Sequence, residues 1–558
     1  MQNQKHDLRF SLVTLVLLSC LFVFSVKLFL IQVFNSTHLT GLAQKQHNYF
    51  VELEPVRGTI YDRNLRPLAF NVPVYSLFAN PRLMSEEDKT KAMEQLVPLL
   101  DLQPAFLQER LGRDKYFVWL KRKLSADIAG QIKKMKIKGV GFRRESKRYY
   151  PNGSLAAHII GFAGTDNRGL EGLELSYNKY LKGREGEMQV LRDARQRQLQ
   201  MGESFLPPRD GFHLVLTIDE TIQYIAERAL HKAYEKHDAK AASIIVMDVE
   251  TGEILALANQ PTYDLDHAAQ SNIENRTNRA ISFVYEPGSV FKIITAAAAL
   301  EEDIFIEEDK IYCEDGKYRI ANHILTDHRP HGALTFRDVF GLSSNIGVAK
   351  IAQKIGPDNV YKYGRRFRFG VPTGIDLKGE VSGWLKDPSQ WSKTTIGAIP
   401  IGYEITVTPL QLVCAISSIA NEGVYMRPFV VKYVEDNQGQ RIKSFEPKIV
   451  DRAISPDTAR RVKEILKGVV ETGTGKRAQI KGVKVAGKTG TARKVIDGKY
   501  VRGKYYASFM GFAPADHPRL AIVVVFDQPH PSYFGGTVSA PVFQEVMSNA
   551  LKYLKISE

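Results

Sequence analysis

Cysteine is scarce. Only Cys20, Cys313 and Cys414 occur in 558 residues, far apart and without metal-ligand spacing. That excludes a dense disulfide framework, a Cys-x-x-Cys redox motif and a thiolate zinc site. The three read as buried or membrane-embedded thiols, and pairing of Cys313 with Cys414 stays open. No stretch combines dense Lys/Arg with interleaved aromatics, so the net charge of +15 does not single out nucleic acid. The surplus fits an anionic membrane or polymer partner, or a set of solvated lysine-rich faces. There is no internal repeat, no low-complexity segment and no cofactor or metal motif. At 44% hydrophobic and 25% charged, the composition is that of a folded protein, and the length implies more than one domain.

Only one apolar run is long. Phe10 to Val26 carries no charge, and Leu28 to Phe34 continues the run past Lys27. As a helix of about 25 residues it would extend roughly 37 Å, enough to cross a bilayer, with Lys27 reaching toward the headgroups. Its length, and the lack of a small-x-small site in Phe34-Asn35-Ser36-Thr37-His38, argue against a cleaved signal peptide. Residues 1–9 carry Lys5 and Arg9 against Asp7. The positive flank predicts a cytoplasmic tail (1–9), a single-pass anchor (10–34) in the cytoplasmic (inner) membrane, and a periplasmic or extracytoplasmic remainder. The run Leu520 to Phe526 has only the length of a buried strand.

Residues 43–220 alternate short β-type runs with basic and Gly/Pro punctuation and offer no nucleophile–base pairing, which predicts a non-catalytic pedestal. From Thr221 to about 550 the texture changes. Asp219 caps a predicted helix over Ile222 to Tyr234. Ser243–Asp248 and Glu253–Ala258 read as a hairpin, and Tyr506–Phe512 with Leu520–Phe526 as a second strand pair. Helical stretches, among them Ser289–Glu301 and Pro456–Thr472, lie between. Strands at both ends with helices between predict an α+β fold, a central antiparallel sheet packed by helices.

Three elements in this second part carry chemistry. In Pro287-Gly288-Ser289-Val290-Phe291-Lys292 the serine opens a very apolar helix, and residues three apart share a face, so Ser289 and Lys292 can touch. A buried lysine loses basicity toward neutral pH and can take a hydroxyl proton. Ser-x-x-Lys also arises by chance, and a serine before a helix is often only a cap. In Ser343-Ser344-Asn345 a hydroxyl can relay a proton and an amide can hold a carbonyl; alone, it also reads as a polar helix end. In Gly487-Lys488-Thr489-Gly490-Thr491 the glycines allow close backbone approach, and Lys488, Thr489 and Thr491 suit a carboxylate. The plainer alternative is an edge strand blunted by lysine.

Taken in this order, the three elements resemble the active-site set of penicillin-binding proteins and serine β-lactamases. Further motifs make the chain similar to the class B penicillin-binding proteins over nearly its whole length: Arg57-Gly58-Thr59-Ile60-Tyr61-Asp62-Arg63, Arg148-Tyr149-Tyr150-Pro151, Gly169-Leu170-Glu171-Gly172-Leu173-Glu174 and Gly402–Gln411. The stretch Ser344–Lys350 looks more like the division-specific, septal type than the elongation type. The resemblance implies a serine D,D-transpeptidase that cross-links peptidoglycan stem peptides ending in D-Ala-D-Ala. Ser289 would be the acylated nucleophile, Lys292 its base, Ser343 a proton shuttle and Asn345 a holder of the donor amide. Lys488, Thr489, Gly490 and Thr491 would bind the terminal carboxylate, and the N–H groups of Ser289 and Thr491 would form the oxyanion hole. β-Lactams would be covalent inhibitors, and a membrane glycan polymerase and other division proteins would be partners. No cofactor or metal is implied. Neither a glycosyltransferase region nor C-terminal extension repeats are expected. The competing expectations are an elongation enzyme, a β-lactamase or β-lactam sensor, and a non-enzymatic divisome scaffold.

Overall fold

The computed structural model describes residues 2–37, 39, 48–192 and 198–556. Met1 of the expected tail and residues 43–47 and 193–197 of the expected pedestal lie outside them.

The chain forms two compact units, residues 1–56 with 183–210, and residues 57–182 with 211–558. In the first, the helix Gln2–Phe29 runs on through a π-helical turn, Leu30–Phe34. Its segment Phe10–Phe34 has a mean hydropathy of 2.5 with none of it buried, so it is long and apolar enough to cross a membrane. Asn48–Leu53, Gly186–Arg192 and Gln198–Leu206 form a three-stranded antiparallel sheet in the same unit.

The second unit holds a five-stranded, wholly antiparallel sheet in the order Ile254–Gln260, Ala241–Asp248, Leu520–Asp527, Lys499–Ala513, Ala486–Ile496. Both predicted strand pairs are present, and the run Leu520–Phe526 is central. Its continuous apolarity has a simple cause. Side chains alternate between faces, and here both faces are covered. Leu520, Ile522, Val524 and Phe526 join the core shared with the helices Glu220–Lys236 and Gly535–Tyr553. Ala521, Val523 and Val525 join the core on the other side, which holds Pro409–Ala420. Every residue of that last helix is buried, and a Thr408–Gln411 capping box starts it. Asp219 caps Glu220–Lys236 by accepting from Thr221 N and Ile222 N. All three cysteines are free thiols, Cys313 and Cys414 buried.

A seven-stranded sheet in the same unit brings distant segments together. It contains Arg441–Ser444, Val431–Glu435, His213–Leu216, Ile60–Tyr61 and Pro67–Ala79, and the last pairs with both Val118–Leu124 and Val140–Tyr149. The three motifs from the first part of the chain converge beside it. Glu174 is fully buried between Arg57 and Arg148, with 2.6 Å from each Nε to one carboxylate oxygen. Other guanidinium N–H groups reach backbone: Arg57 donates to Asn167 O and Glu174 O, and Arg148 to Gly58 O, each at 2.8 Å, while Arg148 Nη2 is buried without a hydrogen-bond partner. One carboxylate thus compensates two buried cations, helped by carbonyl dipoles.

Removing that carboxylate strands both guanidinium groups in a dry site. Glu174→Gln is expected to cost about 3–5 kcal/mol of stability, read as a lower urea midpoint. Arg66→Ala, which breaks an exposed pair with Glu220, should leave the midpoint nearly in place.

Candidate active site

Pro287 and Gly288 turn the chain into a 3₁₀ segment, Gly288–Phe291, that passes directly into the α-helix Lys292–Glu301. Ser289 lies on the first turn, half-buried; Lys292, one turn on, is completely buried, as is the helix through Leu300. Two glycines clamp this turn. A Cβ on Gly490 would lie 2.9 Å from Val290 Cγ1 and 3.0 Å from Pro287 O. Gly402 has φ of 85°, a Cβ on it would fall 2.1 Å from Gly288 O, and its carbonyl accepts from Gly288 N at 3.0 Å. Glycine alone gives both the left-handed conformation and the approach.

Ser343 follows the helix Phe336–Gly341 and precedes Asn345–Ile355. Its φ is 61°, a left-handed backbone that a β-carbon disfavours. The surrounding contacts account for it. Lys292 Nζ donates to Ser343 O and to Asn345 Oδ1, each at 2.7 Å, and lies 3.2 Å from Ser343 Oγ. Lys488 Nζ is 3.0 Å from the same Oγ. One hydroxyl therefore sits between two lysines, both completely buried. Among the described residues no hydrogen bond joins Lys292 to Ser289, because the amine is drawn to the Ser343–Asn345 carbonyl oxygens.

Lys488 lies on Ala486–Ile496, the edge of the five-stranded sheet, yet its side chain is dry. The Thr489 hydroxyl meets that of Thr474 at 2.8 Å, and Thr491 Oγ1 accepts from Gly535 N at 3.2 Å. The eight residues singled out in the sequence thus occupy three elements. The contacts join the first to the second through Lys292 and the second to the third through Lys488, while Gly490 packs the third on the first.

Burial, reinforced by the positive charge of Lys488 and opposed by Asp327, holds Lys292 well below the usual lysine range. Burial pushes Lys488 down to about 7. The hydrogen-bond geometry fits a neutral Lys292. A neutral amine has two N–H groups, and two carbonyl-type oxygens at 2.7 Å use them. Its lone pair is then left for a hydroxyl proton.

Sequence reasoning missed Asp327. Its Oδ1 accepts from Asn345 N at 2.5 Å and Ile346 N at 3.1 Å, and Ser344 Oγ donates to its Oδ2 at 2.6 Å. It thereby holds the start of the helix that presents Asn345. Ser344 also accepts from Gly347 N at 2.9 Å. Ser344 lies 17 positions after Asp327, so no spacing rule connects them. Asp327→Ala is expected to lower stability by about 1–2 kcal/mol, the usual cost of a lost cap, and Asp327→Asn by less. Urea titration of the two variants checks the order.

The same residues lie within regions that match known families. Residues 242–548 match the penicillin-binding protein transpeptidase domain, and residues 52–216 the penicillin-binding protein dimerisation domain. The chain is 36% identical to the peptidoglycan D,D-transpeptidase FtsI of Escherichia coli, over 90% of this chain and 84% of that one. It is 34% identical to the probable peptidoglycan D,D-transpeptidase PbpC of Pseudomonas aeruginosa, over 100% and 97%. Among solved structures, penicillin-binding protein 3 of Mycobacterium tuberculosis complexed with aztreonam superposes with a TM-score of 0.70 at 28% identity, covering 91% of this chain and 98% of that one. With the two matched regions covering most of the chain and relatives of this identity over most of its length, the chain belongs to the penicillin-binding protein transpeptidases.

Proposed function

We propose that Ser289 is the nucleophile with which this peptidoglycan D,D-transpeptidase cross-links stem peptides on the outer side of the cytoplasmic membrane, in septal wall synthesis. The observation that carries the reading is the pair of 2.7 Å bonds from Lys292 Nζ to Ser343 O and Asn345 Oδ1, which leaves a neutral amine's lone pair for a hydroxyl proton. Ser289 Oγ attacks the penultimate D-alanine carbonyl while Lys292 takes its proton. The new C–O bond forms, the C–N bond to the last D-alanine breaks, and Ser343 passes the proton to the leaving amine. A stem-peptide amine then attacks the ester, the C–O bond breaks, and Ser289 recovers its proton. Lys488, Thr489 and Thr491, with Gly490 giving the approach, receive the terminal carboxylate. Asn345 holds the donor amide through its Nδ2, now bonded to Thr326 O at 2.9 Å. The N–H groups of Ser289 and Thr491 are the oxyanion donors.

The one helix of spanning length among the described residues, Phe10–Phe34, supports a single-pass anchor, and the positive flank before it supports a cytoplasmic tail at 1–9. Residues 43–220 act as the pedestal and 221–550 as the transpeptidase part, a division the two family matches support. A membrane glycan polymerase and other division proteins are the expected partners. β-Lactams acylate Ser289 in place of the stem peptide.

Full-length protein in detergent should be labelled covalently by a fluorescent penicillin, and Ser289→Ala protein should not. Label on folded Ser289→Ala protein would remove Ser289 from the role, and label lost within seconds would indicate a β-lactamase. Depletion in cells should give filaments; rounded cells would assign the enzyme to elongation.

The two lysines predict a bell-shaped pH profile of kcat/KM for peptide acylation. Lys292 must be neutral, so activity climbs as pH rises through its lowered pKa. Lys488 must be charged to hold a carboxylate, so activity falls as pH passes about 7. Lys488→Arg keeps its charge at all these pH values and should move the alkaline limb out of the neutral range.

A further inference from the structure

The five-stranded sheet has two edges. One is Ala486–Ile496, which carries Lys488; the other is Ile254–Gln260. At the end of the second edge a cavity of about 710 Å³ opens between the loop 152–155 and the helix Glu220–Lys236. None of Ser289, Lys292, Ser343 and Lys488 lines it. Two faces of the helix have different surroundings. Ile222, Ala226, Ala229 and Leu230 pack into the core, while Tyr224, Glu227, Arg228 and His231, spaced to share another face, line the cavity.

Some polar groups of the lining satisfy one another. Glu220 accepts from Asn152 Nδ2 at 2.8 Å and pairs with Arg66 at 3.3 Å. Others are left over. Gln260 is only 6% exposed and lines the cavity, yet its side-chain amide has no hydrogen-bond partner among the described residues. An amide buried without a partner is costly. Glu227 accepts from Ala156 N and Gln223 Nε2, both at 2.7 Å, through Oε1 alone. Burial pushes that carboxyl up to about 7, so near neutrality it can donate as well as accept. Arg228 is exposed and makes no hydrogen bond or ion pair among the described residues, and Tyr224 is 56% exposed. Leu155 is the one aliphatic residue of the lining.

We infer that this cavity is a non-catalytic glycan site, which takes a two-ring segment bearing acetamido groups and a free carboxylate. An acetamido group matches the Gln260 amide donor for acceptor, sugar hydroxyls meet Glu227 and Thr262, the carboxylate meets the Arg228 fork, and the apolar side of a sugar ring covers Tyr224. A bare anion would leave the amide and the acid unmatched, and an alkyl chain would find almost no apolar wall. The volume falls in the ordinary range of small-molecule sites, about 300–1,000 Å³. The wall polymer on which this enzyme family acts is a chain of N-acetylated amino sugars, and its carboxyl-bearing sugar keeps a free carboxylate wherever no stem peptide is attached. A strand held here would keep the stem peptides of its neighbouring sugars at high local concentration.

Calorimetric titration of full-length protein in detergent, acylated beforehand with penicillin so that the catalytic cleft is filled, tests this. The probes are the disaccharide N-acetylglucosaminyl-N-acetylmuramic acid, the neutral disaccharide N,N′-diacetylchitobiose, and N-acetylmuramic acid alone. The acidic disaccharide is expected to bind saturably below about 10 mM, about fivefold more tightly than the neutral one, the scale of one exposed ion pair, and more tightly than the single ring. In Arg228→Gln protein the ratio of the two disaccharides should fall to near one. Gln260→Leu should weaken both disaccharides about tenfold while the urea midpoint stays in place or rises, because an unmatched buried amide adds nothing to the empty fold. Absence of saturable binding to wild-type protein, a single ring that binds as tightly as the disaccharide, a ratio unmoved by Arg228→Gln, or a midpoint lowered by Gln260→Leu overturns the inference.

Discussion

Keeping water away from two lysines is the condition on which the rest of this site depends. An ammonium in a dry interior is so costly that the group either finds compensation or gives up its proton. Lys292 has the buried helix around it, a second lysine across Ser343, and two carbonyl oxygens for its N–H groups. Of these, burial and the second lysine favour the uncharged amine, and the two oxygens use the N–H groups it keeps. Were the helix Lys292–Glu301 to loosen and admit water, the lysine would regain its charge and lose its free lone pair. The apolar character of Ile293 to Leu300 thus acts on the protonation of Lys292 as well as on the packing.

The sheet edge serves the same condition from the other side. An edge strand has free backbone groups that can pair with an extended peptide. Ala486–Ile496 is such an edge, and Lys488 points from it into the protein rather than into solvent. A peptide laid along this strand would therefore bring its own carboxylate to a cation that has lost most of its hydration. Gly490 and Gly402 keep the strand, the serine turn and the segment at 400–404 within backbone contact, so the three elements cannot drift apart independently.

Much of this was legible in the sequence. Both strand pairs, the capped helix at Glu220 and the buried run at 520–526 follow from periodicity and caps, because local patterning and burial agree there. The order of the three motifs picked out residues that the fold brings into contact. The contacts across elements were not readable. Neither the left-handed turn at Ser343 nor the approach of Lys292 to Asn345 has a local signature, and Asp327 sits in a loop whose composition announces nothing. The strand Val431–Glu435 joining a sheet with Ile60–Tyr61 was equally hidden, since pairing between distant segments leaves no trace in either one. The family resemblance marked Arg57, Arg148 and Glu174 as belonging to motifs without revealing that they meet.

That meeting has an evolutionary consequence. Loss of any one of Arg57, Arg148 and Glu174 leaves an uncompensated charge or an unmatched donor set in a closed interior, whereas a concerted replacement by well-fitting apolar residues need not be costly. Single mutational steps away from the cluster are therefore uphill while the distant destination is not. Lineages should keep all three residues or exchange all three. The motifs that carry them, though more than 100 positions apart at the extremes, are then inherited as one character rather than three.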